Sequence, residues 1–121
     1  MFEKSLDKKA CNQNLMAVRD ALDVLNTKWK LPIIVALSEG QKRFNELQRK
    51  LDGITPKSLS KELKDLEMNG FLSRVVHHTT PVKVEYALTD YSNSLQEVID
   101  ALKDWGLQHR DRITRHSKKP D

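Results

Sequence analysis

Apolar residues recur at three- and four-residue steps from Leu15 through Val18, Leu22 and Leu25, with Ala17 and Ala21 beside them, which predicts an amphipathic helix ending near Asn26. Trp29, Ile33 and Leu37 keep that spacing up to Glu39 and Gly40, and Ile34 and Val35 make this the most apolar stretch. Pro32 has no backbone donor, so a helix starts or bends there. Phe44, Leu47 and Leu51 mark a short helix, with Asn45 read as its cap, Gln48 three residues on, and Asp52-Gly53 as its stop. Thr55 then caps a further helix, Pro56 suits its first position, and Leu59, Leu63 and Leu66 form one stripe before Asn69 and Gly70 end it.

After Gly70 the period changes. Phe71 to Val76 is rich in β-branched and apolar residues, and Val82, Val84, Tyr86 and Leu88 alternate with Lys83, Glu85 and Ala87, which predicts a β-hairpin. Its connection, His77 to Pro81, is polar and long for a tight turn, so the tip projects. Thr89 opens a last helix with the stripe Leu95, Val98, Ile99, Leu102 and Trp105. Beyond Gly106 the chain turns polar and basic and is expected to fray.

Two short helices joined by a Gly-containing turn and followed at once by a two-stranded hairpin predict an α+β, mainly α fold: a winged helix-turn-helix with additional N- and C-terminal helices. The expected organisation is a flexible arm over 1–10, one winged domain with its terminal helices over 11–108, and a basic tail over 109–121. The stripes of the terminal helices lie outside the winged core and are too large to leave in water. A symmetric homodimer is therefore expected, with Leu15, Val18, Leu22, Leu95, Val98, Ile99, Leu102 and Trp105 at its interface.

Charge sharpens this picture. The chain carries 21 basic and 17 acidic residues, net +4, and the span 42–64 holds seven of the bases against three acids. Around the helix that begins at Thr55, Lys57, Lys61 and Lys64 fall opposite the leucine stripe, giving one face to the core and a cationic face to the outside. Double-stranded DNA is the expected partner, with this helix in the major groove. Lys57, Ser58, Ser60 and Lys61 lie nearest its start and are the candidates for base edges, and Arg43, Asn45, Thr55 and Lys64 for backbone phosphates. His77, His78, Thr79, Thr80 and Lys83 place the wing along the flanking minor groove. The alternative is a winged module that binds protein and leaves its basic face solvated.

Other classes fare worse. No run of about 18 apolar residues is present for crossing a bilayer, and no hydrophobic signal region begins the chain, so a cytoplasmic protein without membrane contact is expected. His77 and His78 are strand neighbours that point to opposite faces, with no cysteine or carboxylate cluster beside them, which argues against a metal site. No cofactor loop and no nucleophile with a fixed base can be read, so no enzyme activity is expected. Cys11 is the one cysteine, which excludes an intrachain disulfide. Lys8 and Lys9 would favour its thiolate, and the residues alone allow either a reactive or an inert thiol.

From about Cys11 to Trp105 the chain resembles the HxlR-type winged helix-turn-helix regulators of bacteria. The resemblance is carried by Ala21 to Leu25 with Lys28-Trp29, Arg43-Phe44-Asn45-Glu46-Leu47, Gly53-Ile54-Thr55-Pro56-Lys57, Leu63 to Leu66 with Asn69-Gly70, and Val84-Glu85-Tyr86-Ala87-Leu88-Thr89. It implies a homodimeric transcriptional regulator that binds inverted repeats, often near its own gene, through the terminal helices as dimer interface and without enzymatic activity. It also implies a role for Cys11, since family members often sense oxidants or electrophiles with a cysteine near the N-terminus. Where the family commonly has Cys-Pro, this chain has Cys11-Asn12.

Overall fold

The stripes read from the sequence become helices α1 (Lys8–Val24), α2 (Lys30–Leu37), α3 (Phe44–Lys50) and α4 (Pro56–Met68), strands β1 (Leu72–His77) and β2 (Lys83–Leu88), a 3-10 segment (Asp90–Leu95) and helix α5 (Gln96–Lys118) in a computed structural model that describes residues 8–118. Residues 1–7 of the arm predicted over 1–10 and the last three residues of the predicted tail lie outside the described residues, and residues 8–10 of that arm belong to α1.

One core holds α2, α3, α4 and the base of the hairpin together. Ile33, Ile34 and Leu37 of α2, Leu47 of α3, Leu59, Leu63 and Leu66 of α4, and Phe71 and Leu72 leading into β1 are all buried. The strands pair antiparallel from Leu72 with Leu88 to His77 with Lys83. Lys42, in the link between α2 and α3, joins the edge of the hairpin: its N–H donates to the Tyr86 carbonyl at 3.0 Å and its carbonyl accepts from the Tyr86 N–H at 2.7 Å. This short third rung fixes the wing against the helix-turn-helix.

Pro32 lies in the first turn of α2, where a missing donor costs nothing. Thr27 Oγ1 accepts there from the backbone N–H of Lys30 at 3.2 Å. Trp29 is half-buried against the core, with the Lys28 ammonium 5.0 Å from its ring centre.

Four boundaries differ from the expectations. α1 begins at Lys8 rather than near Leu15, because Lys, Ala and Gln are good helix formers even where no apolar period announces them. α3 is capped at Arg43, not Asn45, and the Arg43 N–H donates to Glu46 Oε1 at 2.9 Å. Thr89 does not cap the last helix; its hydroxyl donates to the Gly70 carbonyl, Ser92 reaches the Phe71 carbonyl, and a 3-10 segment precedes α5. α5 runs through Gly106 to Lys118 instead of fraying. Gly costs about 1 kcal/mol in a helix relative to Ala. Across and beyond it the turns are linked by Trp105 stacked on His109, Thr114 donating to the Arg110 carbonyl and Arg115 paired with Asp111.

Candidate nucleic-acid interface

The turn between α3 and α4 depends on Gly53, whose φ of +94° lies in the region that side chains disfavour, and on Ile54, which drops into the core. Thr55 Oγ1 accepts from the Ser58 N–H at 3.1 Å, and Pro56 follows as the first helical residue. The start of α4 is therefore anchored at both ends of the turn, and its inner stripe is almost dry: Leu59 and Leu66 are fully buried and Leu63 is 2% exposed.

The opposite face carries the predicted contacts. Lys57, Ser60, Lys61 and Lys64 are exposed along α4, and Ser58, drawn in beside its capping bond, is half-buried. Arg43 and Asn45 are exposed at the start of α3, and Thr55 is exposed at the turn. The structure thus leaves Lys57, Ser60, Lys61, Lys64, Arg43, Asn45 and Thr55 open to solvent. It adds Arg49, which with Arg43, Asn45 and Lys83 lines a polar cleft of about 440 Å³ between α3 and the wing. The two carboxylates of that cleft already have partners: Glu46 takes the Arg43 N–H, and Glu85 is bonded within the wing. Arg49 was not singled out from the sequence because its neighbour across the cleft, Lys83, is far along the chain.

In the wing, His78, Thr79 and Thr80 are exposed at the connection. His77, expected there too, is the last residue of β1 and turns to the base of the wing, with Nε2 2.7 Å from Glu85 Oε1. Gln41 Nε2 donates to the same carboxylate at 3.0 Å, and the Lys83 ammonium lies 3.7 Å away. Burial pushes the Glu85 carboxyl up, but the His77 hydrogen bond, the Lys83 charge and the Gln41 bond together more than offset it and hold the group below its ordinary value of 4.5.

The terminal helices differ from the core. Leu15, Val18, Leu22, Val98, Leu102 and Trp105 are exposed, and so are Met16, Leu107 and Ile113, which no one stripe had marked. Leu95 and Ile99, also expected at an interface, are partly buried against the chain's own core. An apolar groove of about 640 Å³ opens between α2 and α5 over Pro32, Val35, Leu51 and Leu102. Cys11 is exposed in the N-terminal part of α1. Among the described residues no group of His, Cys, Asp and Glu is placed to hold a metal ion, and no helix is long and apolar enough to cross a membrane.

Residues 24–114 match the model of the HxlR-like helix-turn-helix family. The chain is 39% identical over 108 residues to the uncharacterized HTH-type transcriptional regulator YtcD of Bacillus subtilis (strain 168), covering 89% of this chain and 83% of that protein. Among solved structures it is similar to the redox regulator HypR in its reduced form, with a TM-score of 0.76, 37% identity and coverage of 82% of this chain and 98% of that one. The reduced form of the transcriptional regulator YodB from B. subtilis is also similar, with a TM-score of 0.68, 38% identity and coverage of 74% and 88%.

Proposed function

Because the chain belongs to the HxlR-like helix-turn-helix family and is therefore a DNA-binding regulator rather than an enzyme, we propose that it works in the cytoplasm as a homodimer on a pseudo-palindromic operator. The observation that carries this reading is α4 itself, whose inner leucines are buried while Lys57, Ser60, Lys61 and Lys64 all face outward. Dimerisation through α1 and the outer face of α5 puts two such helices in successive major grooves, about 34 Å apart. Lys57, Ser58, Ser60 and Lys61 meet base edges, the lysines donating to guanine O6 and N7. Arg43, Asn45, Thr55, Lys64 and, across the cleft, Arg49 meet phosphates and set the register. His78, Thr79, Thr80 and Lys83 follow the flanking backbone. His77 acts one step back, as a hydrogen-bond partner of Glu85.

The test is selection of sequences from a random duplex pool, followed by titration of the enriched duplex at several salt concentrations. The expected result is an enriched inverted repeat whose affinity falls about 10³-fold or more between 50 and 200 mM salt, as several phosphate contacts require. A module that binds protein through the same fold enriches nothing and shows no such salt dependence.

A second reading concerns the signal. The exposure of Cys11 and the likeness to HypR, a redox regulator by its own description, favour a thiol that responds to an oxidant or a small electrophile. Diamide is then expected to change operator affinity in the wild type and not in Cys11→Ser. An equal response in both proteins removes Cys11 from the mechanism.

A further inference from the structure

Lys30 begins α2 and is only 5% exposed. Its ammonium lies 3.1 Å from Glu62 Oε1, 3.7 Å from Asp65 Oδ2 and 3.4 Å from Asn26 Oδ1. The Glu62 contact is ionic, since that oxygen receives no properly directed hydrogen bond. One interior cation therefore faces two carboxylates of α4. Glu62 is buried with it, whereas Asp65 sits at the rim of the helix, where the inner face gives way to the outer one.

Asp65 has a second partner. The same Oδ2 atom lies 3.4 Å from the ammonium of Lys61, one turn back and largely in solvent. Its carboxylate is thus shared between a lysine that cannot leave the interior and a lysine on the outward face. Lys30 is fixed because removing either member of a buried ion pair strands the other without compensation. Asp65 is held by that fixed charge, and Lys61 is held by Asp65.

An acid in this position changes what Lys61 does at a DNA surface. It narrows the orientations of a long, mobile side chain, and it offsets part of the attraction of Lys61 for any phosphate, whatever the sequence. A lysine has three donors, so one directed at Asp65 leaves others for the paired acceptors of a guanine edge. We propose that Asp65, anchored by the buried Lys30, is a specificity-determining residue of α4: it orients Lys61 toward base edges and suppresses binding to phosphate alone. This rests on the reading of α4 as the recognition helix.

The experiment uses the full chain, a duplex enriched from a random 30-bp pool by the wild type, and the unselected pool as the non-specific probe, both followed by fluorescence anisotropy. Asp65→Asn is expected to tighten binding to the unselected pool by up to about fivefold, the upper end for an exposed charge pair, and to gain less on the enriched duplex, so the ratio of the two falls. Asp65→Glu, which keeps the charge within reach of Lys61, is expected to restore the ratio. In a Lys61→Met background, which touches nothing buried, Asp65→Asn is expected to leave the ratio unchanged. Equal changes on both probes, or an effect of Asp65→Asn that persists without Lys61, overturns the proposal while leaving DNA binding intact. A wild type that enriches no sequence and binds independently of salt removes the DNA reading and the role of Asp65 together.

Discussion

Helices α4 and α1 are both amphipathic, and they meet opposite fates. The stripe of α4, Leu59, Leu63 and Leu66, is sealed against α2, α3 and the hairpin, whereas Leu15, Val18 and Leu22 of α1 are each 58–61% exposed and the helix has no buried residue. The difference shows what a hydrophobic period means. It marks the face that must leave water, and it says nothing of which chain covers that face. Among the described residues α4 is covered by its neighbours, whereas the stripe of α1 and the outer face of α5 are left open.

The comparison is broken most severely from inside the core. Lys30→Met is expected to cost about 3–5 kcal/mol in urea unfolding, because Glu62 stays behind as an unpaired buried charge, and Lys30→Met with Glu62→Met is expected to recover most of it. A single substitution costing under about 1 kcal/mol would mean the pair is wetter than its burial indicates. Leu63→Ala follows, at about 2–5 kcal/mol, by leaving a cavity. The matching change on α1, Leu22→Ala, is expected to leave unfolding of the dilute single chain within about 0.5 kcal/mol, as for an exposed site, and to weaken self-association in sedimentation. Equal losses at Leu63 and Leu22 would erase the distinction between the two helices.

Smaller effects sharpen the picture at the edges. Thr55→Ala removes the side-chain cap of α4 and is expected to lower stability by about 1 kcal/mol, read from the shift in unfolding midpoint. At the wing, the carboxyl of Glu85 is held below its ordinary value of 4.5, so its contribution is fully present above that pH and is lost as the pH falls through the lowered folded value. Glu85→Gln is expected to lower stability at neutral pH, where the contribution is present, and to approach the wild type as the pH falls below about 4.5, which flattens the acid limb of a stability-against-pH curve. An unchanged acid limb would mean that His77, Gln41 and Lys83 do not act on Glu85 in solution.

Local chemistry was legible in the chain by itself. The period of 3.6 placed α2 and α4, the switch to a period of 2 placed the hairpin, and Gly53, Thr55 and Pro56 announced the turn between α3 and α4, because each of these depends on residues only a few positions apart. The same locality put Lys57, Lys61 and Lys64 opposite the leucines. Only the tertiary structure decided the rest. It turned His77 from the wing tip to Glu85 and folded Leu95 and Ile99 back onto the core. It also brought Lys30 to Glu62 and Asp65, and Arg49 to the cleft beside Lys83. The contacts of Lys30 and Arg49 join positions about 30 residues or more apart, and no propensity or spacing encodes them. They arise when apolar faces close over one another and the charges left near the seam must find partners there.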